Sequence, residues 1–116
     1  ATTEIYTLSL HDALPILAKG DIDTLIQLVW NDPFEGYGYR YSPRGIGYLF
    51  GIDITNDFLN NNGLKFIIRG HEPCEGFKFN HNNKVITVFS SKVYRNKKAG
   101  VLLLDLKNEK IERIFI

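Results

Sequence analysis

Residues 64–68, Leu-Lys-Phe-Ile-Ile, form a continuous apolar run with one lysine, and no other feature limits the fold of this 116-residue chain as strongly. A run of that length reads as a strand covered on both faces, so the chain must supply material on each side of it. It is entered from Asn60, Asn61, Asn62 and Gly63, where the glycine suits a left-handed helix cap. It empties into Arg69, Gly70, His71 and Glu72. Upstream, Ile22, Leu25, Ile26 and Val29 recur at helical spacing behind two aspartates suited to a helix start. Asp53 can cap a second helix that turns Ile54, Phe58 and Leu59 inward. Between the helices, residues 34–47 are dense in Gly, Tyr and Pro and read as a long ordered surface loop, a kind that often carries function. Downstream, Phe77 and Phe79 alternate with polar residues, Asn82 and Asn83 make a turn, and residues 85–89 return as a strand. Residues 101–106 and 111–116 make a second hairpin. The expectation is an α+β fold in which two helices back a mostly antiparallel sheet.

A chain of this length with 44% hydrophobic residues buries one core. Fourteen basic and thirteen acidic residues are interspersed, so no block of one sign would track nucleic acid or an anionic membrane. No apolar run reaches the roughly 20 residues that span a bilayer, and the expectation is a soluble, cytoplasmic protein. Cys74 is the only cysteine, which rules out an internal disulfide and a thiolate metal cage. Any metal must be held by nitrogen and oxygen. The glycine pairs Gly36/Gly38 and Gly45/Gly47 complete neither a dinucleotide nor a P-loop pattern.

The first sixteen residues show no clear period and join the rest without a turn or cap signal. Residues 6–16, YTLSLHDALPI, are identical to one reading frame of a common short-read sequencing adapter. Residues 1–16 are therefore expected to be non-native, with native sequence over 17–116, and the His11-Asp12 pair is set aside as a metal candidate.

Taken as residue types, the chemistry-bearing side chains stay ambiguous. His71 opens a loop directly after a strand, where a rigid scaffold can hold a ligand at the solvent edge, although a lone histidine more often bonds a backbone carbonyl. Arg44 lies in a Pro-Arg-Gly turn, where a planar fork of donors can hold two phosphate oxygens or simply meet water. Tyr94 ends a loop after a strand and could equally pack on the sheet. Trp30 suits a core anchor and Asp32, before Pro33, a turn residue. His81, in the hairpin turn, and Cys74 have no sequence partner that would make them reactive, and both read as bystanders.

Four blocks, read in order, remove much of that ambiguity: LVWNDP at 28–33, SPRGIGYLFG at 42–51, NGLKFIIRGHE at 62–72 and VITVFSSKVY at 85–94. Together they resemble the carboxy-terminal part of the phosphoprotein phosphatase family of serine/threonine protein phosphatases, within the calcineurin-like metallophosphoesterase superfamily. The resemblance runs from about residue 22 to about residue 104. It implies a fold in which two sheets pack between helices and two divalent metals (manganese, iron or zinc) sit at the strand ends. It also implies that His71 is a metal ligand and that Arg44 and Tyr94 contact the substrate phosphate as catalytic and substrate-binding residues. Trp30 would border the substrate, and Asp32 would support the site from behind. The block around Tyr94 is diverged, because Ser91, Lys92 and Val93 stand where the family has Ala, Pro and Asn; in the first block Asn31 replaces a serine.

In such enzymes two metals lower the pKa of a bridging water and aim it at the phosphorus of a phosphoserine or phosphothreonine in a protein substrate, often with regulatory subunits attached. The upstream elements that supply most ligands, of the types Gly-Asp-x-His-Gly, Gly-Asp-x-x-Asp-Arg-Gly and Gly-Asn-His-Glu, do not occur here. Nor does the late Val-His-Gly-Gly element. One histidine cannot assemble a two-metal site, so this polypeptide alone is expected to be inactive. Two other readings remain open: a metallophosphoesterase acting on nucleotides, and a non-catalytic binding module that kept the sheet.

Overall fold

The computed structural model describes residues 20–91, 93–94 and 98–116. Residues 1–16, with His11 and Asp12, lie outside the described residues.

Helix α1 spans Ile22–Trp30. Asp21 caps it as its side chain accepts the Thr24 N–H at 3.1 Å and the Thr24 hydroxyl at 2.6 Å. The helix ends where Asn31 turns to extended backbone. None of its residues is buried: Leu25, Ile26 and Trp30 are half-buried, while Ile22 and Val29, on the same periodic stripe, are exposed.

The chain then enters a three-stranded sheet made of β1 (Asp32–Pro33), β2 (Tyr39–Tyr41) and β3 (Tyr48–Phe50), in the order β1-β3-β2. β1 runs parallel to β3, with Asp32 opposite Leu49, and β2 runs antiparallel to β3, with Tyr41 opposite Tyr48. The stretch expected as one long loop is therefore a hairpin arm with a tight turn at residues 42–45. Two of the tyrosines that suggested a loop, Tyr39 and Tyr41, sit in an edge strand with their side chains open to solvent, and the glycines flank the strands.

Helix α2 spans Ile52–Asn62. Its N-cap is Gly51, not Asp53, because the Asp53 carboxylate is taken by the Gly38 N–H at 2.8 Å. Gly63 ends the helix at φ 62°, the left-handed cap its sequence position called for. Leu59 is buried at 3% exposure, but Phe58 is 48% exposed and does not join the core.

The second sheet holds β4 (Ile67–Arg69), β5 (Phe77–Asn80) and β6 (Val85–Val88), in the order β4-β6-β5. The apolar run yields a strand that starts at Ile67 and is half-buried, so it is less fully covered than the run implied. β4 pairs parallel with β6, whereas β5 and β6 form the expected hairpin around a turn in which His81, Asn82 and Asn83 all have positive φ. The core sits here: Val85, Ile86 and Leu59 are buried with Thr55, Thr87 and His81. Each fully buried aliphatic side chain contributes roughly 1.5–3 kcal/mol.

The third sheet is the hairpin β7 (Gly100–Asp105) and β8 (Lys110–Phe115). It meets the second sheet at a glycine contact, where a Cβ on Gly100 would lie 2.8 Å from the Gly76 Cα. Phe115 packs edge-on against Phe77 beside it. The class is α+β as expected, but the strands form three small sheets with two parallel pairings, not one mostly antiparallel sheet. No described helix is long and apolar enough to cross a membrane.

Candidate active site

Three segments distant in sequence converge at the carboxyl end of β4. Ser42 supplies the first. Its carbonyl accepts the Gly45 N–H at 3.1 Å and its hydroxyl accepts the Arg44 N–H at 3.2 Å, closing the Ser-Pro-Arg-Gly turn. Gly47, at φ 74°, lets this turn lie directly on α1: a Cβ there would sit 3.0 Å from the Trp30 Cβ. The Asn31 side-chain oxygen accepts the Tyr48 N–H at 2.8 Å and fastens the same junction. Arg44 is thus presented from a fixed backbone while its side chain stays 37% exposed.

The second segment is the end of α1, where Trp30 and Asp32 face His71. The Trp30 ring meets the His71 ring edge to face at 5.2 Å and 83°. Asp32 is 4% exposed. The third segment leaves β4 through Gly70 and reaches His71 at φ 87°. Such backbone costs a non-glycine residue on the order of 1–3 kcal/mol and persists where surrounding contacts hold it.

Those contacts fix the state of the imidazole. Nδ1 of His71 lies 2.9 Å from Asp32 Oδ1, and a carboxylate oxygen accepts, so Nδ1 carries the proton and donates. Nε2 lies 3.1 Å from Arg44 Nη1, and a guanidinium only donates, so Nε2 accepts with its lone pair. The ring is a neutral Nδ1–H tautomer with Nε2 turned toward the arginine. Arg44 Nε also approaches Asp32 Oδ2 at 3.5 Å.

Behind this arrangement lies an ionic network that residue types and spacing did not single out. Arg69 donates to Asp32 Oδ1 and Glu72 Oε2, and Lys78 donates to Glu72 Oε1 at 2.8 Å. Arg44, Arg69 and Lys78 face two carboxylates, leaving one excess positive charge, with Arg44 its most accessible arginine beside His71. An anion is the complementary guest. The Arg69/Glu72 pair at i,i+3 was visible in the RGHE block; Lys78 comes into range only through the β4–β6–β5 order.

Tyr94 stands apart. It is 46% exposed and packs edge-on against Phe89 at 5.2 Å, and no hydrogen bond or ring contact joins it to Arg44, His71 or Asp32 among the described residues. His81 also departs from expectation, since it is 0% exposed in place of idling in a surface turn. Its Nε2 donates to the Phe34 carbonyl at 2.7 Å and its Nδ1 accepts the Thr55 hydroxyl at 2.8 Å. Cys74 is buried in the segment after His71.

The chain is also similar to proteins of known kind. A family model described as calcineurin-like phosphoesterase matches residues 3–75. The chain belongs to that family. The matched span takes in residues 6–16, so the family match and the adapter identity overlap there. Among solved structures, a protein serine/threonine phosphatase from Saccharomyces cerevisiae, described as similar to human phosphatase PP5, is 35% identical with a TM-score of 0.61. The alignment covers 75% of this chain and 32% of that one, so the chain spans about a third of the yeast enzyme's length. This likeness supports the phosphoprotein phosphatase branch of the calcineurin-like phosphoesterases.

Calcineurin-like phosphoesterases use divalent metals, and the donors present here do not amount to such a site. Among the described residues no group of three or more His, Cys, Asp or Glu could hold an ion. Both oxygens of Asp32 and both of Glu72 are engaged by cations or by His71. The Nε2 lone pair of His71 is engaged as well, by Arg44 Nη1 at 3.1 Å.

Proposed function

We propose that residues 17–116 are the carboxy-terminal portion of a catalytic domain that hydrolyses phosphoserine and phosphothreonine in protein substrates, and that this polypeptide by itself does not turn over. The observation that carries the reading is the pairing of Arg44 Nη1 with His71 Nε2 at 3.1 Å above a buried Asp32. It puts a bidentate anion fork beside a neutral, oriented imidazole, the combination that phosphoryl transfer asks of this part of a site. In the complete domain Arg44 would be free to grip two phosphate oxygens, and His71 Nε2 would help hold a divalent ion, manganese, iron or zinc, which would supply an activated water. Asp32 keeps the proton on Nδ1 so that Nε2 stays basic. Trp30 holds the ring plane and borders the substrate. Tyr94 reaches the phosphate only after its loop leaves Phe89. Regulatory subunits and a cytoplasmic setting go with this reading.

The test has two parts. The chain alone, assayed on a phosphopeptide with excess manganese, gives no turnover; turnover abolished by His71→Ala would overturn its inactivity. A chimera joining the upstream part of the yeast phosphatase to residues 17–116 hydrolyses the phosphopeptide and loses at least about 100-fold in kcat/KM with Arg44→Ala or His71→Ala, about 2.7 kcal/mol of transition-state stabilisation. A folded, active chimera indifferent to both substitutions removes the reading. Preference for a dinucleoside polyphosphate over the phosphopeptide would instead favour the nucleotide-directed alternative.

A further inference from the structure

Arg69 occupies the last position of β4, two residues before His71, and its side chain is only 13% exposed. Its guanidinium reaches four partners. Nη2 donates to the Asn31 carbonyl at 3.0 Å and to Asp32 Oδ1 at 2.5 Å, while Nη1 donates to Glu72 Oε2 at 2.7 Å and to Thr87 Oγ1 at 3.0 Å. One planar group thereby joins the exit of α1, strand β1, strand β6 and the segment after His71. It is also an ionic link between the first and second sheets.

The consequence falls on Asp32. The last torsion of an aspartate is broad, so a carboxylate held at one point turns with little resistance. Asp32 Oδ1 is held at two, by Arg69 and by His71 Nδ1. The contact from Arg44 to Oδ2 is longer, at 3.5 Å, and comes from the more exposed arginine, which leaves Arg69 as the stronger constraint. Arg69 is held in turn, since Glu72 is pinned from its other oxygen by Lys78 and Thr87 is fully buried.

We propose that Arg69 is the positioning residue of this site: by fixing the Asp32 carboxylate it selects the Nδ1–H tautomer of His71 and leaves the Nε2 lone pair facing Arg44. The inference deepens the phosphatase reading and rests on it for the use made of that lone pair. Its physical content concerns this chain alone. A lysine at position 69 keeps the charge but has no fork, so it cannot hold Asp32 and Glu72 together in one plane.

The tautomer can be read directly from long-range proton–nitrogen NMR correlations of the His71 and His81 imidazoles, assigned apart from His11, in the 116-residue chain at mildly alkaline pH, without metal or turnover. In the parent protein His71 shows one protonated nitrogen, Nδ1, and one bare nitrogen, Nε2. In Arg69→Lys the separation between the two nitrogen shifts collapses toward an averaged mixture, while His81, locked by Phe34 and Thr55, keeps its own Nε2–H pattern and reports an intact core. A His71 tautomer unchanged in Arg69→Lys overturns the proposal. If Arg69→Lys loses the His81 pattern as well, the decision passes to the parent protein, where a held guanidinium gives separate Nη signals with slow rotation about the Cζ–Nη bonds. Freely averaged Arg69 signals there overturn the proposal, and resolved ones sustain it. Because neither readout involves catalysis, failure here leaves the phosphatase assignment intact, and failure of the chimera leaves the tautomer result intact.

Discussion

His71 and His81 lie off opposite ends of the same parallel pair, β4 and β6, and they show how one residue type is put to two uses. Both have positive φ and both have each ring nitrogen within hydrogen-bond distance of a partner. His81 meets a backbone carbonyl and a buried hydroxyl, partners that have nowhere to go, and it is fully enclosed. His71 meets a buried carboxylate on one side and, on the other, an arginine 37% exposed on a flexible stem. Only one of its two contacts can open. A histidine is made available for chemistry by the mobility of one partner more than by its own exposure, and that asymmetry separates the working end of this sheet from the structural end.

The comparison breaks if the two histidines prove equally important to stability. His81→Ala removes a buried ring and strands the Phe34 carbonyl and Thr55 hydroxyl, and is expected to cost about 3–4 kcal/mol. His71→Ala is expected to stay within about 1 kcal/mol, because Asp32 keeps Arg69 and Arg44. Chemical denaturation midpoints of the two variants decide the matter, and similar losses would erase the distinction. Gly47→Ala attacks the junction that presents Arg44: with φ at 74° and Trp30 3.0 Å away, it is expected to cost about 2 kcal/mol. The same denaturation curves measure it. Strain at His71 is isolated by comparing His71→Gly with His71→Ala, where glycine should be the more stable by about 1 kcal/mol if φ 87° is held in solution.

The smallest effect sharpens the structural end. Glu35 accepts the His81 N–H and the Asn80 amide, and these hydrogen bonds hold its carboxyl below its ordinary value of 4.5. A depressed folded-state pKa stabilises the protein above the unfolded value and ceases to do so as pH falls through the lowered one. Glu35→Gln should therefore lower the melting temperature slightly at neutral pH, where the ionised carboxyl contributes, and converge on the parent below about pH 4.5, which flattens the acid limb of the profile. An unaltered acid limb would detach Glu35 from the His81 turn.

Much of this architecture could be read from the residues. Helix α1 and its Asp21 cap, the Gly63 stop, both hairpins and the α+β class follow from local period and turn chemistry, which act over a few residues. What escaped was set by distant competition. Asp53 was a sound cap candidate until Gly38, fifteen positions away, took its carboxylate. Residues 34–47 read as loop because β2 is an edge strand of exposed tyrosines, whose pattern carries no buried face. At the site, His71, Arg44, Asp32 and Trp30 were legible only through four linked blocks, and the structure does bring these side chains together. Tyr94 rested on a diverged block and sits on Phe89. The Arg69/Glu72 pair lies within one block, three residues apart, but Lys78 joined it only when β4, β6 and β5 were laid side by side.

The hairpin of β7 and β8 has a bearing on how the molecule behaves in company. Among the described residues neither strand has a second partner, and Val101, Leu103, Ile114 and Phe115 are exposed along it. Two open, apolar edges are a template on which further strands can add. Concentrated solutions of this chain should assemble through that hairpin before any other part, and a lysine in place of Leu103 should keep them clear.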